Sequence, residues 1–336
     1  MTQHPYETLT PECILDAVDS LGHRCDGRLL ALNSYENRVF EIGLDDGPPL
    51  IAKFYRPGRW NDDEILEEHM FSLELAEAEL PVVAPYRDKN GGTLQIYQDF
   101  RFALFRKQPG RTPEIEDIET LKWMGRFMGR IHSVGCSKPF SHRGALNPIT
   151  YGNDVFSYLT EKNLIPLHLE SAFISIVEEL LRRIKICYER GGRSTGVDKA
   201  DIRLHGDCHP GNILWTYDGP WFVDFDDCRT GPAIQDLWML LSGERQGMEL
   251  QLGAILEGYG MFCDFDYTEL HLIEALRALR MINYTGWLAK RRDDPAFKAC
   301  FPWFNTDRYW EEQILTLREQ AALLDEPPLE PKCPGN

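Results

Sequence analysis

The sequence has no apolar run long enough to span a bilayer, no Cys-x-x-Cys pair and no surplus of positive charge. The first absence excludes a transmembrane helix. The second accompanies nine scattered cysteines: Cys13, Cys25, Cys136, Cys187, Cys208, Cys228, Cys263, Cys300 and Cys333. An odd, unpaired set speaks against a disulfide frame or a zinc site and for reduced thiols. The third absence is quantitative: 36 Lys and Arg stand against 53 Asp and Glu, a net charge of −17 with a pI near 5.0. Such a surface repels phosphate backbones, so no nucleic-acid partner is expected. Acidity serves solubility first; its sharper reading is a pocket for cationic substrates. Met1 opens a polar segment with no apolar signal core, so the expected location is the cytoplasm, with no membrane partner. The 336 residues, 43% hydrophobic, suffice for a core of one large or two moderate domains.

What is present centres on residues 203–224. Two apolar triplets, Ile213-Leu214-Trp215 and Trp221-Phe222-Val223, flank Tyr-Asp-Gly-Pro, a β-hairpin signature. Pairing symmetric about Asp218 puts Asn212 opposite Asp224, with Cα atoms about 5 Å apart. An amide and a carboxylate oxygen side by side suit a hard cation. Asp207 lies on a Gly- and Pro-rich loop five residues upstream and within reach. An acid, a metal-binding amide and a metal-binding carboxylate are the working parts of a phosphoryl-transfer site.

The motif His-Gly-Asp-x-His-x-x-Asn at 205–212, followed by an apolar-flanked Asp, resembles the catalytic core of the aminoglycoside phosphotransferase and choline kinase superfamily, which shares the protein-kinase-like fold. Leu-Asn-Ser-Tyr-Glu-Asn-Arg-Val at 32–39, Lys-Phe-Tyr-Arg-Pro at 53–57 and Gly-Pro-Ala-Ile-Gln-Asp-Leu-Trp-Met-Leu-Leu at 231–241 are similar to the bacterial stress response kinase A family. The likeness covers nearly the whole chain. It implies a two-lobed α+β fold: an antiparallel-sheet lobe over residues 1–107 and a mainly helical lobe over 108–336. It further implies ATP and Mg2+ in the cleft, transfer to serine or threonine hydroxyls of a protein, and a role in envelope or oxidative stress. A monomer is expected.

In chain order, residues 1–11 are polar and expected to fray, and a helix starts near Thr10 or Pro11. Strands at 28–32 and 39–42 enclose Asn33-Ser34-Tyr35-Glu36-Asn37-Arg38, the expected loop over the nucleotide phosphates. It lacks Gly-x-Gly-x-x-Gly, so phosphate contacts fall to backbone amides and the Ser34 hydroxyl; read alone, it is an ordinary polar turn. Lys53 is the one cation inside the apolar strand 50–55, at the spacing of a nucleotide lysine. Its carboxylate partner comes from the helix at 62–79. Glu68 borders the stripe of Phe71 and Leu75 and is the choice, with Glu64 and Glu67 as alternatives. Strands at 93–97 and 102–105 lead to residues 106–111, which the resemblance makes the adenine-holding hinge. Helices follow at 118–134, where Gly125 and Gly129 allow close packing, and at 167–190, then at about 249–259, 267–288 and 307–324. Pro327-Pro328 begins a tail that need not be ordered.

In this reading Asp207 orients the acceptor hydroxyl and takes its proton late, while Asn212 and Asp224 hold magnesium. His205 and His209 brace the loop, and Cys208 is a packed thiol. The resemblance makes Asp236 a support for the loop through its backbone amides. Asp226 and Asp227 assist the metal or substrate, or terminate a strand. Six residues separate Asp224 from Gly231-Pro232, too few for a long activation loop. Two alternatives remain: a small-molecule kinase for an aminoglycoside, choline or homoserine-like alcohol, and a nucleotide-binding regulator with little turnover. Trp287, Phe301, Trp303, Phe304, Tyr309 and Trp310 form either core or an aromatic box for a quaternary ammonium. Arg277, Arg280 and Lys290-Arg291-Arg292 either face an anionic or peptide substrate or end a helix in solvent.

Overall fold

The computed structural model describes residues 5–332. Helix α1 (Pro11–Asp19) begins where Thr10 caps it, accepting from the Cys13 amide at 3.2 Å. Strands β1 (Cys25–Ala31), β2 (Arg38–Leu44), β3 (Leu50–Phe54), β4 (Gln95–Tyr97) and β5 (Phe100–Arg106) form one antiparallel sheet in the order β1-β2-β3-β5-β4. One face buries Ile42, Ala52, Phe54 and Phe102 against α1. Helix α2 (Asp62–Glu77) opens with a capping box between Asn61 and Glu64. It sends Phe71 and Leu75 into the larger apolar core of the remaining chain.

That remainder is mainly helical, an α+β protein-kinase-like arrangement. Helix α3 (Ile118–Gly135) is followed by α4 (Asp154–Glu161) and α5 (Leu167–Arg190). Short strands β6 (Ile202–Leu204), β7 (Ile213–Thr216), β8 (Gly219–Phe222) and β9 (Arg229–Gly231) form two pairs, β6 with β9 and β7 with β8. Then come α6 (Ile234–Trp238), α7 (Arg245–Tyr259), α8 (Ile273–Arg291), α9 (Phe297–Cys300) and α10 (Asp307–Leu323). No helix among the described residues is long and apolar enough to cross a membrane.

The hairpin forms, but one residue out of the expected register. Ile213 pairs with Phe222 and Thr216 with Gly219, leaving Tyr217 and Asp218 as the turn. Asn212 therefore meets Val223, whose amide donates to its carbonyl at 3.0 Å, rather than Asp224. Proline sets the register. Pro220 has no N–H to give and sits opposite Trp215, whose own N–H and C=O bond Arg111 at 2.6 and 3.0 Å. On the other edge the Phe222 amide donates to Pro81 at 2.8 Å and its carbonyl accepts from Val83 at 3.1 Å. Both edges of a two-stranded ribbon are thus covered, which holds it still under the sheet.

Other expectations need correction at the ends. Tyr6 is buried, not frayed, and its hydroxyl donates to the Glu36 and Phe54 carbonyls at 3.0 and 3.3 Å. The C-terminal segment is tied down as far as Lys332, whose amide donates to Glu249 at 3.0 Å while Leu329 is buried. The span 267–288 divides into a tight turn, Tyr267–Leu272, and α8, which runs on to Arg291. Residues 1–4 and Cys333 lie outside the described residues.

Helices α3 and α7 cross closely because Gly125 and Gly129 face α7. A Cβ at Gly125 would overlap the Ile255 carbonyl oxygen, and one at Gly129 would lie 2.6 Å from that of Tyr259. Gly125→Leu is expected to destabilise the fold by about 2 kcal/mol or more. A urea unfolding midpoint checks this; an unchanged midpoint would mean that the crossing is loose.

Candidate active site

A cleft of about 450 Å³ lies between the sheet and the β7–β8 hairpin. Val39, Ile51 and Phe105 line it from the sheet side, Leu214 and Val223 from the other. These apolar walls suit a flat heteroaromatic ring. Arg106, Lys107 and Gln108 form its edge, and Arg106 stacks 3.9 Å over the Trp221 ring, fixing that edge to the hairpin. Ser34 lines the same cleft.

At the back stands Lys53. Its Nζ lies 3.1 Å from Glu68 Oε1, 3.1 Å from Asp224 Oδ1 and 3.1 Å from Asp226 Oδ1. Burial alone would lower the lysine pKa, but Asp226, Glu68 and Asp224 hold it well above the usual value. Glu68 is the glutamate that reaches Lys53; Glu64 instead caps α2, and Glu67 accepts from the amides of Ser141, His142 and Arg143. The second Glu68 oxygen meets Arg143 Nη2 at 3.0 Å. Asp226 is buried, and its second oxygen meets Arg59 Nη1 at 2.6 Å. Burial pushes the Asp226 pKa up, yet Arg59, Lys53 and Arg143 outweigh it and hold the carboxyl below the ordinary range. Asp226 is therefore a structural counter-ion of this cluster. Arg59 and Arg143 carry no sequence signal, since neither sits in a periodic pattern or a recognised motif.

Asp224 follows β8 in the left-handed region, φ 60° and ψ 68°, a conformation that Asp tolerates better than most residues. That turn redirects its carboxylate into the cleft, where its side chain is 53% exposed. Asn212 donates from Nδ2 to the Asp207 carbonyl at 2.9 Å, which leaves the amide oxygen as the cleft-side group. Together they offer two hard oxygen donors, a fit for a divalent cation completed by phosphate and water oxygens. Among the described residues no group of three or more His, Cys, Asp or Glu could hold a metal.

Asp207 faces a second, adjoining cavity of about 260 Å³. The loop carrying it is held from behind: Asp236 accepts from the His205 and Gly206 amides at 2.8 and 2.9 Å. His132 Nε2 reaches the same buried carboxylate at 3.2 Å, and His205 Nε2 bonds the Val223 carbonyl at 2.9 Å. Gly206 has φ +85°, and a Cβ there would run into the Asp227 carbonyl oxygen, so no arginine could stand at this position. Asp207 is partly buried and paired. Arg280 Nη1 lies 2.7 Å from Oδ1 and His209 Nε2 3.5 Å from Oδ2. Burial raises its pKa, but His209 and Arg280 prevail and hold it well below the usual carboxylate range. It is ionised at neutral pH and a weak base.

The loop at 33–38 carries ties that the sequence did not reveal. Glu36 Oε2 accepts from Trp287 Nε1 at 2.9 Å and Arg291 Nε at 3.0 Å, both on α8. The Tyr35 ring meets Phe301 edge-on at 5.0 Å. Arg291 is thus an interlobe ion-pair partner, not a solvated helix end. Most of the C-terminal aromatics are core: Trp310 and Phe304 are buried, and Tyr309 packs between them. Trp287 alone of that set lines the Asp207 cavity, stacked on Tyr284 at 5.7 Å.

The model of the "Phosphotransferase enzyme family" matches residues 28–273. "Stress response kinase A" of Escherichia coli (strain K12) is 44% identical over 325 residues, 97% of this chain and 96% of that protein. "Serine/threonine protein kinase RdoA" of Salmonella typhimurium is 43% identical over the same shares. Among solved structures, amicoumacin kinase hAmiN in complex with AMP-PNP, Ca2+ and Ami superposes with a TM-score of 0.73 at 19% identity, covering 95% of each chain. A microcompartment-associated aminopropanol kinase does so with 0.64 at 16% identity, covering 93% and 96%. At these identities the two structures share the fold.

Beside the cluster, His69 Nε2 lies 2.7 Å from the Tyr55 hydroxyl and Nδ1 2.8 Å from Thr93 Oγ1. Burial, then Lys53 and Arg143, pull its pKa from 6.5 down to about 3. The unfolded chain takes up a proton that the folded chain refuses. The His69 contribution to stability is therefore complete above the unfolded value and declines as pH falls below it. Unfolding free energy is expected to drop between about pH 7 and pH 5, with a slope approaching about 1.4 kcal/mol per pH unit at the acid end. His69→Gln should flatten that slope. Denaturant titrations at stepped pH measure it, and equal slopes in both proteins would exonerate His69.

Proposed function

Because the chain belongs to the phosphotransferase enzyme family, among the stress response kinase A proteins, we propose that it transfers the γ-phosphate of ATP to serine or threonine hydroxyls of proteins. One observation carries the transfer chemistry. Lys53, held 3.1 Å from Glu68 and Asp224, closes the back of a cleft that Asn212 also lines, and Asp207 faces the cavity next door. The protein substrate and the stress role rest on the relatives' names and on identity over 97% of the chain.

In this mechanism Lys53 binds the α- and β-phosphates, and Glu68 keeps its ammonium in place. The amides and hydroxyl of Ser34 and its neighbours lie over the phosphates, held there through Glu36 and Tyr35. Asn212 and Asp224 would hold Mg2+, whose charge would neutralise the negative charge of the phosphates. Asp207 orients the acceptor hydroxyl. As an ionised, weakly basic carboxylate it receives the proton late, consistent with a loose phosphoryl transition state.

A second reading is a small-molecule kinase. The Asp207 cavity is only about 260 Å³ and sets Tyr151, Tyr284 and Trp287 beside Glu36 and Asp227, a suitable lining for an amino-alcohol. ATP labelled at the γ-phosphate, supplied with magnesium, separates the readings. Label on protein side chains or on the enzyme itself supports the first, and label only on added aminoglycoside, choline or homoserine supports the second. Nucleotide binding without transfer would leave a regulator.

Asp207→Asn is expected to lower transfer by about a hundredfold or more with nucleotide affinity largely intact. Asp224→Ala should weaken ATP binding only when magnesium is present. Calorimetry with and without the metal, alongside transfer rates, checks both; a normal magnesium requirement in Asp224→Ala would remove that residue from the metal site.

A further inference from the structure

Arg280 joins the Asp207 cavity to a second one of about 470 Å³; both are lined by Arg280 and Tyr284. In a chain of net charge −17 this second cavity has only arginines, Arg277 and Arg280, among its charged lining residues. Trp238, Met248 and Met281 supply apolar walls. Arg277 lies 5.3 Å over the Trp238 ring, and Glu274 reaches it only at 3.8 Å. Its Nε is buried without a hydrogen-bond partner among the described residues. Arg280 is 47% exposed, and its guanidinium is engaged by Asp207 itself. A third cavity, of about 310 Å³, shares Gly243, Met248 and Arg277 with the second.

The three cavities therefore run in line along α8. From Ile273 to Trp287, which line its two ends, the helix rises about 21 Å, the reach of roughly six extended residues. A small alcohol would fill only the first.

We propose that this groove seats an extended segment of a protein substrate, with an acidic side chain close to the acceptor serine or threonine entering the cavity of Arg277 and Arg280. The proposal rests on the protein-kinase reading above and names the sequence class that it selects. A substrate carboxylate would compete with Asp207 for Arg280. Binding of the correct segment would then draw the guanidinium away and free the Asp207 oxygen to meet the hydroxyl. Arginine suits such an exchange because its planar fork can bridge two carboxylates.

The test is a positional-scanning serine/threonine peptide library, incubated with the full chain, Mg2+ and γ-labelled ATP. The parent protein should select Asp or Glu over Lys at a position flanking the acceptor by about tenfold or more. Arg277→Gln should erase that selection and Arg277→Glu invert it towards Lys, while peptides neutral at that position keep their rate. A merely structural role for Arg277 would lower all peptides alike. Labelled peptides with no acidic preference in the parent protein, a result that needs no variant, would sink the inference while leaving the protein-kinase reading standing. Loss of rate on every peptide alike in both variants would sink it as well. Label confined to added aminoglycoside, choline or homoserine, with none on any peptide or on the enzyme itself, would overturn both.

Discussion

One buried ammonium ties this structure together. Lys53 comes from the sheet, Glu68 from α2, and Asp224 and Asp226 from the turn after the hairpin, and all three carboxylates lie 3.1 Å from it. A lone charge in such a place would neutralise rather than stay ionised. It persists because Arg59 and Arg143 balance the surplus carboxylates, and because each acid brings its own part of the chain. Removing Glu68 or Asp226, its buried acids, would leave the rest uncompensated, the costly case for buried ion pairs. The members differ in exposure: Glu68 and Asp226 are buried, while the Asp224 side chain is half exposed at the cleft.

A second constraint joins the lobes on the opposite side. The loop at 33–38 is bonded to the other lobe. Glu36 reaches Trp287 and Arg291 on α8, and Tyr35 packs into the aromatic group around Phe301. The loop that lines the larger cleft is therefore anchored to the helix that lines the Asp207 cavity. In the proposed mechanism, placement of the phosphates and shape of the acceptor site would share one support, which suits a reaction that depends on alignment more than on covalent chemistry.

Much of the fold was legible because local signals are strong where elements are long. Helix α5 falls on the expected 167–190, and Thr10 caps α1 as its position suggested. The close approach of α3 to α7 followed from two glycines four residues apart. Short strands carried too little pattern: β6 and β9 have three residues each and exist because they pair with one another. The hairpin was foreseen, but its register was not. The register depends on Pro220 sitting across from a residue whose backbone is claimed by Arg111, over a hundred positions away in sequence.

The chemistry on offer is readable from residue order alone: a lysine in an apolar strand, an aspartate on a Gly- and Pro-rich loop, and an amide and a carboxylate bracketing a ribbon. These residue types at these spacings have few other uses, which is why composition and motif reach so far. The tertiary structure decided which charges neutralise which. Glu68 rather than Glu64 or Glu67 meets Lys53, Asp226 is a counter-ion, and Arg280 covers Asp207. Such choices turn on distances of a few ångströms between residues as far apart in the chain as Lys53 and Asp226. Local propensity and periodicity carry no information at that range, because Coulomb attraction and desolvation act on folded geometry and not on order along the chain.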